Sequence, residues 1–535
     1  MKLAQSVAEV LGAHVTLEVE GIDRMYLNVY VPQLQCEHGV VQFFRQHRKQ
    51  AWASSALMNP ISRRFVAALD RFVKDNGIPV VLFKKGQRKD DVMAERLKDF
   101  RTEEGVVFVG KAQEKAPVFR TEKRRNPRTG QSYPWIVKSS AMVNHYYFYA
   151  VDRDFGPFFL KFCTYFPYNA KLCINGHEYA KRQLARKGIV FEALDNGVLS
   201  CSDPQRLQAI CDGLSADKID ALLRKWLRLL PHPFMAADRK AGYRYAISIL
   251  QAEFSLTQVL DRPVHGRMFF EEVIRENLDL GRPDEVQLIF GRKIIRTTPG
   301  RFRTRIITQG VTPSINAYYK NTRIKQYHKE GRALRTETTI NNTWDFRVGK
   351  RLHNLPKLRQ IGFAANRRLL EVERVTHDCM LAEETFRQIN GPIEVNGQRA
   401  SALRFADPRV HALWHALLLF RLQPRGFRNA DLRQHLAALS GREAKQIGQG
   451  AMSYQLRRLR LHGMIERIPK THRYCVTAMG LRAALFFTRS YARVLRSGLA
   501  FALPGHRAVD TPLKRSFDNV EKEIQAWTNR AKLAA

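Results

Sequence analysis

The sequence predicts a multidomain α+β protein: mixed α/β N-terminal and central domains, followed by a small C-terminal domain of helices and one short hairpin. Three stretches predict it. Residues 145–188, HYYFYAVDRDFGPFFLKFCTYFPYNAKLCINGHEYAKRQLARKG, pass from strand texture to helix texture. Upstream, Pro60–Asn76 repeats apolar residues at helical spacing, and Ile78–Phe83 follows as a strand. Downstream, residues 401–490 carry helix-like segments and then two short strands. The 535 residues leave room for three or four domains at roughly 150 residues each. The expected division is 1–135 (α/β with basic loops), 136–400 (central α+β), 401–500 (the small domain) and 501–535 (a peripheral basic tail).

In the central stretch, Tyr146–Asp152 and Phe158–Phe166 are aromatic and β-branched, and Arg153–Pro157 separates them as a turn. Nearly every position is apolar, which predicts a sheet covered on both faces. Ala170–Ile174 reads as a third strand. From His177 a helix runs to Gly188, a glycine C-cap.

Composition bounds the partner. Hydrophobic residues make up 44 %, enough for packed cores, but 89 Lys+Arg face 50 Asp+Glu, a formal charge of +39. Such a chain repels itself unless a polyanion neutralises it, so nucleic acid is the expected partner and an anionic membrane surface the alternative. No apolar run approaches the roughly 20 residues of a spanning helix. Seven scattered cysteines include no C-x-x-C pair, which predicts reduced thiols, and the first residues carry no convincing cleavage site. A cytoplasmic location follows as the expectation.

Taken in order, residues 11–31 read as two strands around Gly21-Ile22-Asp23. Lys84, Lys85, Arg88 and Lys89 surround Gly86 at a strand end, where a basic loop can meet phosphates. Val106–Val109 is a strand, and Lys111–Tyr133 reads as a mobile basic loop that nucleic acid would order. A hairpin is expected at 189–201, helices at 203–230 (Asp203 and Ser215 as N-caps), and further helices at 238–260 and 266–278. The texture then turns to β: 286–290, 302–307, 314–319 and 332–340. These strands are dense in arginine and tyrosine, as in surfaces that contact phosphates and stack bases, with Arg323, Lys325, Lys329 and Arg335 as candidate contacts. A helix is expected at 356–373.

Residues 401–490 contain an apolar helix (Asp407–Leu422), a capped short helix from Asn429, a basic helix (Met452–Ile465), two strands around Lys470-Thr471-His472, and a last helix after Gly480. That order resembles the winged helix-turn-helix family. The resemblance implies that Ser453, Tyr454, Arg457, Arg458 and Arg460 lie on or beside the recognition helix, with Lys470 and Arg473 on the wing. Leu456, Leu459 and Leu461 would turn inward. It implies DNA contact, with RNA as the alternative. Through phrases such as FGPFFLKFCTYFPY, NGHEYAKRQL and LRRLRLHGMI, the whole chain also resembles an uncharacterised bacterial protein family of unknown function.

Two constellations could carry chemistry. Asp152 and Asp154 after the first strand of the central unit, with Glu178 at the helix start, are loosely similar to RNase H-like nucleases. That likeness would make them ligands for Mg²⁺ or Mn²⁺, with Glu192 or Asp195 completing the set. The acids sit at a turn, where they could equally shape it. In Arg323–Asn341, Tyr327 and Glu337 resemble the nucleophile and metal ligand of rolling-circle initiators, although no His-hydrophobic-His motif lies upstream. The reading overall is a DNA-binding protein, of the kind used by mobile elements or in replication. A metal-dependent nuclease and an RNA-scaffolding ribonucleoprotein component are the alternatives.

Overall fold

The computed structural model describes residues 7–84, 87, 89–277, 314–375, 383–404, 407–421, 426–439, 443–491, 519, 522 and 523. Lys85, Arg88, the strands expected at 286–290 and 302–307, and most of the tail lie outside them. The chain is mixed α/β and divides into two compact units. One comprises Val10–Arg267 and Arg305–Arg367; the other comprises Met1–Glu9, Met268–Thr304 and Arg368–Ala535. Among the described residues no helix is long and apolar enough to cross a membrane.

The larger unit is built on one ten-stranded sheet. In chain order its first elements are α1 (Val7–Ala13), β1 (Val15–Tyr30), α2 (Glu37–Gln42), α3 (Ser55–Asp75), β2 (Val80–Leu82), α4 (Lys89–Leu97), β3 (Gly105–Arg125) and β4 (Ser132–Asp152). Next come β5 (Gly156–Cys163), β6 (Ala170–Asn175), α5 (Gly176–Arg186), the hairpin β7 (Phe191–Leu194) and β8 (Gly197–Cys201), α6 (Pro204–Asp212), α7 (Ala216–Leu229) and α8 (Ala236–Lys240). Then follow β9 (Ala246–Leu260), the start of α9 (Pro263–Asn277, assigned to the other unit from Met268), β10 (Ser314–Tyr319), β11 (Thr322–Lys329), β12 (Ala333–Ile340) and α10 (Leu355–Val375, assigned to the other unit from Arg368). The strand order is β10-β11-β12-β9-β1-β6-β5-β4-β3-β2, and every neighbouring pair is antiparallel except β2–β3.

Apolar faces of α3, α5, α6, α7 and α10 bury Phe65, Leu184, Ile210, Trp226 and Leu358 in one core with the strands. Across β3 and β4, Met93 of α4 closes a second core with Phe108, Tyr147 and Tyr149, so this part of the sheet is covered on both faces as its continuous apolar texture implies. Asp203 and Ser215 cap α6 and α7 by accepting from Arg206 N and Lys218 N.

Four expectations need correction. Residues 15–30 form one strand, and the Gly21-Ile22-Asp23 turn becomes a register shift between Ile22 and Met25. Residues 246–260 are a strand, not a helix; Ile247, Ile249, Phe254 and Leu256 are buried, and so are polar Ser255, Thr257 and Gln258. The basic loop expected at 111–133 is mostly strand, pairing residue by residue from Gly105↔Val151 to Arg125↔Ser132. The domain boundary expected at 135/136 therefore falls inside a hairpin of a single sheet.

The smaller unit includes α11 (Glu383–Asn390), the hairpin β13 (Ile393–Val395) and β14 (Gln398–Ala400), α12 (Pro408–Arg421) and α13 (Asn429–Leu439). It continues with α14 (Gln449–Leu461), β15 (Ile465–Arg467), β16 (Tyr474–Val476) and α15 (Ala478–Arg489). Leu413, Leu432, Leu456, Leu459, Ile465, Val476 and Leu485 share one apolar cluster.

In the larger unit, α10 docks through a glycine. A Cβ on Gly362 would stand 2.5 Å from Phe254 Cγ. Beside it, buried Asn366 accepts from Thr338 Oγ1 (2.7 Å) and donates to Phe254 O (2.9 Å). Gly362→Val should overpack this contact and cost about 1–3 kcal/mol, read as an earlier urea midpoint for the larger unit. An unchanged midpoint would show that α10 docks elsewhere.

Candidate functional site

Beneath the hairpin of β11 and β12, six segments distant in sequence bring polar groups together. Arg335 of β12 is fully buried. Its Nη1 donates to Asp23 Oδ2 (3.1 Å) and to His177 Nε2 (2.7 Å), and its Nη2 donates to Asn196 O in the β7–β8 turn. Gly197 must be glycine here, since a Cβ would lie 2.7 Å from Arg335 Nη2 and the residue has φ +147°. Asn196 also donates to Asp23 Oδ1 at 2.7 Å, and His177 Nε2 lies 3.0 Å from Ser255 Oγ on β9. Cross-strand pairing sets Tyr327 opposite Arg335, and the Tyr327 hydroxyl donates to Glu337 Oε1 at 2.7 Å.

Electrostatics fixes the protons. Burial, reinforced by Arg335, lowers the His177 pKa to about 3, so its Nε2 is a neutral acceptor. Burial and the neighbouring Asp23 charge, which Glu337 hydrogen-bonds, raise the Glu337 pKa to about 7. Asp23 is also desolvated, but His177, Arg335, and hydrogen bonds from Glu337 and Asn196 hold it below the ordinary carboxylate range. Burial and Glu337 push the Tyr327 hydroxyl well above its usual value. Below neutral pH the cluster thus holds one guanidinium, the Asp23 carboxylate and a protonated Glu337, which gives up its proton as pH rises through about 7. Both Asp23 oxygens and Glu337 Oε1 accept hydrogen bonds. Chemically it is a clamp that joins β1, α5, the β7–β8 turn, β9, β11 and β12.

The sequence expectation made Tyr327 a nucleophile, Glu337 a metal ligand and Arg335 a nucleic-acid contact; the structure brings the three together, with the Tyr327 hydroxyl engaged by Glu337. Arg335 is corrected from a nucleic-acid contact to a buried clamp, because its guanidinium has no exposed surface. Asp23 and His177 were missed. Lys325 Nζ lies over the Tyr327 ring at 4.4 Å, Lys329 pairs with Glu330 at 3.3 Å, and Arg323 is half-buried.

The acids expected to bind metal are used otherwise. Asp152 is 1 % exposed; its Oδ1 accepts from Asp154 N and Phe155 N, and its Oδ2 from Lys225 Nζ and Trp226 Nε1, all within 3.1 Å. Asp154 pairs with Arg186, and Glu178 with Lys181. Among the described residues the one group of His, Cys, Asp or Glu with metal-ligand spacing is His14, Asp261 and His265, none of them in the expected set. Asp152 therefore ties the turn to α7, and Asp154 and Glu178 serve as ion-pair partners. Lys89 is likewise spoken for, since it donates to Glu114 (2.9 Å) and to Tyr147 Oη (2.6 Å), whereas Lys84 is exposed.

In the smaller unit α14 buries Met452, Leu456 and Leu459 and exposes Tyr454, Arg457 and Arg460. Arg458 is corrected: it is 7 % exposed and donates to Ser401 O and Ala402 O, so it fastens α14 to the preceding segment. Leu461 is half-buried. Between β15 and β16, Lys470 is exposed with φ +56°, while Arg473 donates to Gly426 O at 2.5 Å and braces the strand start. Phe427 and Tyr474 exchange both backbone hydrogen bonds at 2.8 Å in an isolated bridge beside the hairpin. No family model, curated protein or solved structure matches the chain.

The clamp predicts a pH signature. Glu337 holds its proton more tightly folded than unfolded. Its stabilising contribution is complete below the ordinary carboxylate range and is lost as pH rises through about 7. His177 acts in the opposite sense: its contribution is present above the ordinary imidazole range and is lost as pH falls toward about 3. Glu337→Gln keeps the shape and removes the ionisation. It should change stability little at pH 4 and raise it at pH 8, measured by urea unfolding at both values. An equal difference at the two pH values would contradict the protonated Glu337.

Proposed function

We propose that the chain binds nucleic acid, with DNA as the principal target, through a winged helix-turn-helix formed by α12, α13, α14 and the β15–β16 hairpin. The observation that carries this reading is the division of α14. Its apolar side is fixed in the core by Met452, Leu456 and Leu459, while Tyr454, Arg457 and Arg460 face solvent on a chain of net charge +39. A major groove admits a helix of this width, and arginine reads guanine by a bidentate contact. Of the two exposed arginines, Arg457 lies nearer the helix middle and is assigned the base contact. Lys470, at the tip of the hairpin, is assigned a phosphate. Arg458 and Arg473 position these two elements from behind. A cytoplasmic location belongs to the same reading.

The test is a selection of preferred duplex sequences by the full chain, followed by titration of preferred and scrambled duplexes. Arg457→Ala should lower affinity for the preferred duplex by roughly 5- to 150-fold, the equivalent of about 1–3 kcal/mol, and leave the scrambled duplex nearly unaffected. Lys470→Ala should weaken both equally. If neither variant changes binding to either duplex, α14 is not the contact surface.

A further inference from the structure

The β3–β4 hairpin is longer than the sheet that carries it. β3 and β4 pair from Gly105↔Val151 out to Arg125↔Ser132. On one side β5 accompanies β4 only from His145 to Asp152, and on the other β2 accompanies β3 only from Val109 to Lys111. Beyond those limits, residues 112–125 and 132–144 continue as a two-stranded ribbon, with no further strand beside it among the described residues. At roughly 3.3 Å per residue it extends on the order of 45 Å. Its middle is anchored: Phe119 and Ile136 are buried in the main core, and Ser55 N donates to Thr121 Oγ1 at 2.7 Å. The tip is a closed turn, with Gly130 N donating to Asn126 O and Arg128 N to Asn126 Oδ1, both at 2.9 Å.

Past the anchor the composition changes. Between Arg120 and Lys138 stand six cations (Arg120, Lys123, Arg124, Arg125, Arg128, Lys138) and one acid, Glu122. Cross-strand partners share a face, so Glu122 and Trp135 lie on the same side as Arg124 and Tyr133, opposite the anchored side of Phe119 and Ile136. On that outer side Trp135 is 39 % exposed, with the Arg124 guanidinium 4.7 Å over its ring. Tyr133 meets Trp135 edge-on at 6.3 Å and stacks with Trp52 at 6.2 Å, and Trp52 is 52 % exposed. Two exposed tryptophans bridged by a tyrosine are costly to leave in water.

We propose that this ribbon is a second nucleic-acid site, which binds an unpaired strand. Bases stack on Trp52 and Trp135, and the tip cations hold the phosphates. The chemistry favours an unpaired strand over a duplex, because exposed ring faces recognise bases that are themselves free to stack. A helix-in-groove site such as α14 uses hydrogen-bonding side chains instead. The proposal shares with the preceding reading only the class of partner, and the two sites lie in different units of the chain.

The experiment titrates the full chain with (dT)15, with (rU)15 and with a 20-base-pair duplex, following tryptophan fluorescence and anisotropy. Single strands should quench the tryptophans. Trp135→Ala should weaken both oligomers by roughly 5- to 150-fold, Trp135→Phe should restore most of the loss, and duplex affinity should not change. The triple variant Arg124→Gln, Arg125→Gln, Arg128→Gln should lower the salt slope for single strands by about two, at roughly 0.7 per phosphate. A preference between (dT)15 and (rU)15 identifies the natural strand. Retention of wild-type single-strand affinity and slope by both the alanine and the triple variant would overturn the proposal. Arg457→Ala separates the sites: loss of duplex binding with single-strand binding intact leaves the ribbon standing whatever becomes of α14.

Discussion

A guanidinium without solvent must be neutralised within the fold, and Arg335 is the group around which the larger unit is closed. It is neutralised by Asp23 and further satisfied by an imidazole and a carbonyl, drawn from segments that lie up to 312 residues away in sequence. Removing one member of such a set leaves an uncompensated buried charge, which is far more damaging than the set is stabilising. The clamp therefore specifies register more than it adds stability. It fixes β12 against β9 and β1, and with them the position at which the β7–β8 turn and the start of α5 meet the sheet.

The same distinction sorts the rest of the cationic residues. Lys161 and Lys89 converge on Glu114, Lys225 serves Asp152 and Glu104, and Arg458 and Arg473 are bonded to backbone carbonyls. These are structural cations, and a polyanion gains nothing from them. Other cations are exposed, among them Arg457 on the outer side of α14, Lys470 at the tip between β15 and β16, and Arg125 and Arg128 at the end of the β3–β4 ribbon. Under the proposed function these cations and the exposed rings of Trp52 and Trp135 meet a phosphate backbone and its bases.

Much of this was legible in the sequence wherever the determining contacts are local. The β4–β5 hairpin, the caps on α6 and α7, and the helices around α14 are each written within about twenty residues. That Tyr327 and Glu337 belong to one constellation was legible for the same reason, because they sit on adjacent strands of one hairpin, but their hydrogen bond was not. Asp23 and His177 had no local signal; only the sheet order, which sets β1 between β6 and β9, brings them to Arg335. β9 was misread because both of its faces are buried, so Ser255, Thr257 and Gln258 break the alternation that marks a half-exposed strand. The ribbon was misread because a projecting strand need not be apolar. Its polar, basic composition is that of a loop, and cross-strand pairing alone distinguishes the two. Arg458 went wrong on periodicity: it follows Leu456 and Arg457 on a helix whose buried arc is wide enough to include it.

The proposed role of the chain's charge is to displace counterions from nucleic acid. The most direct measurement is the affinity of the full chain for a duplex as a function of salt. Plotted as logarithm against logarithm, the slope should be at least about −4.5 in magnitude, five phosphates at roughly 0.9 each. A slope corresponding to one or two phosphates, or no binding at low salt, would contradict the account.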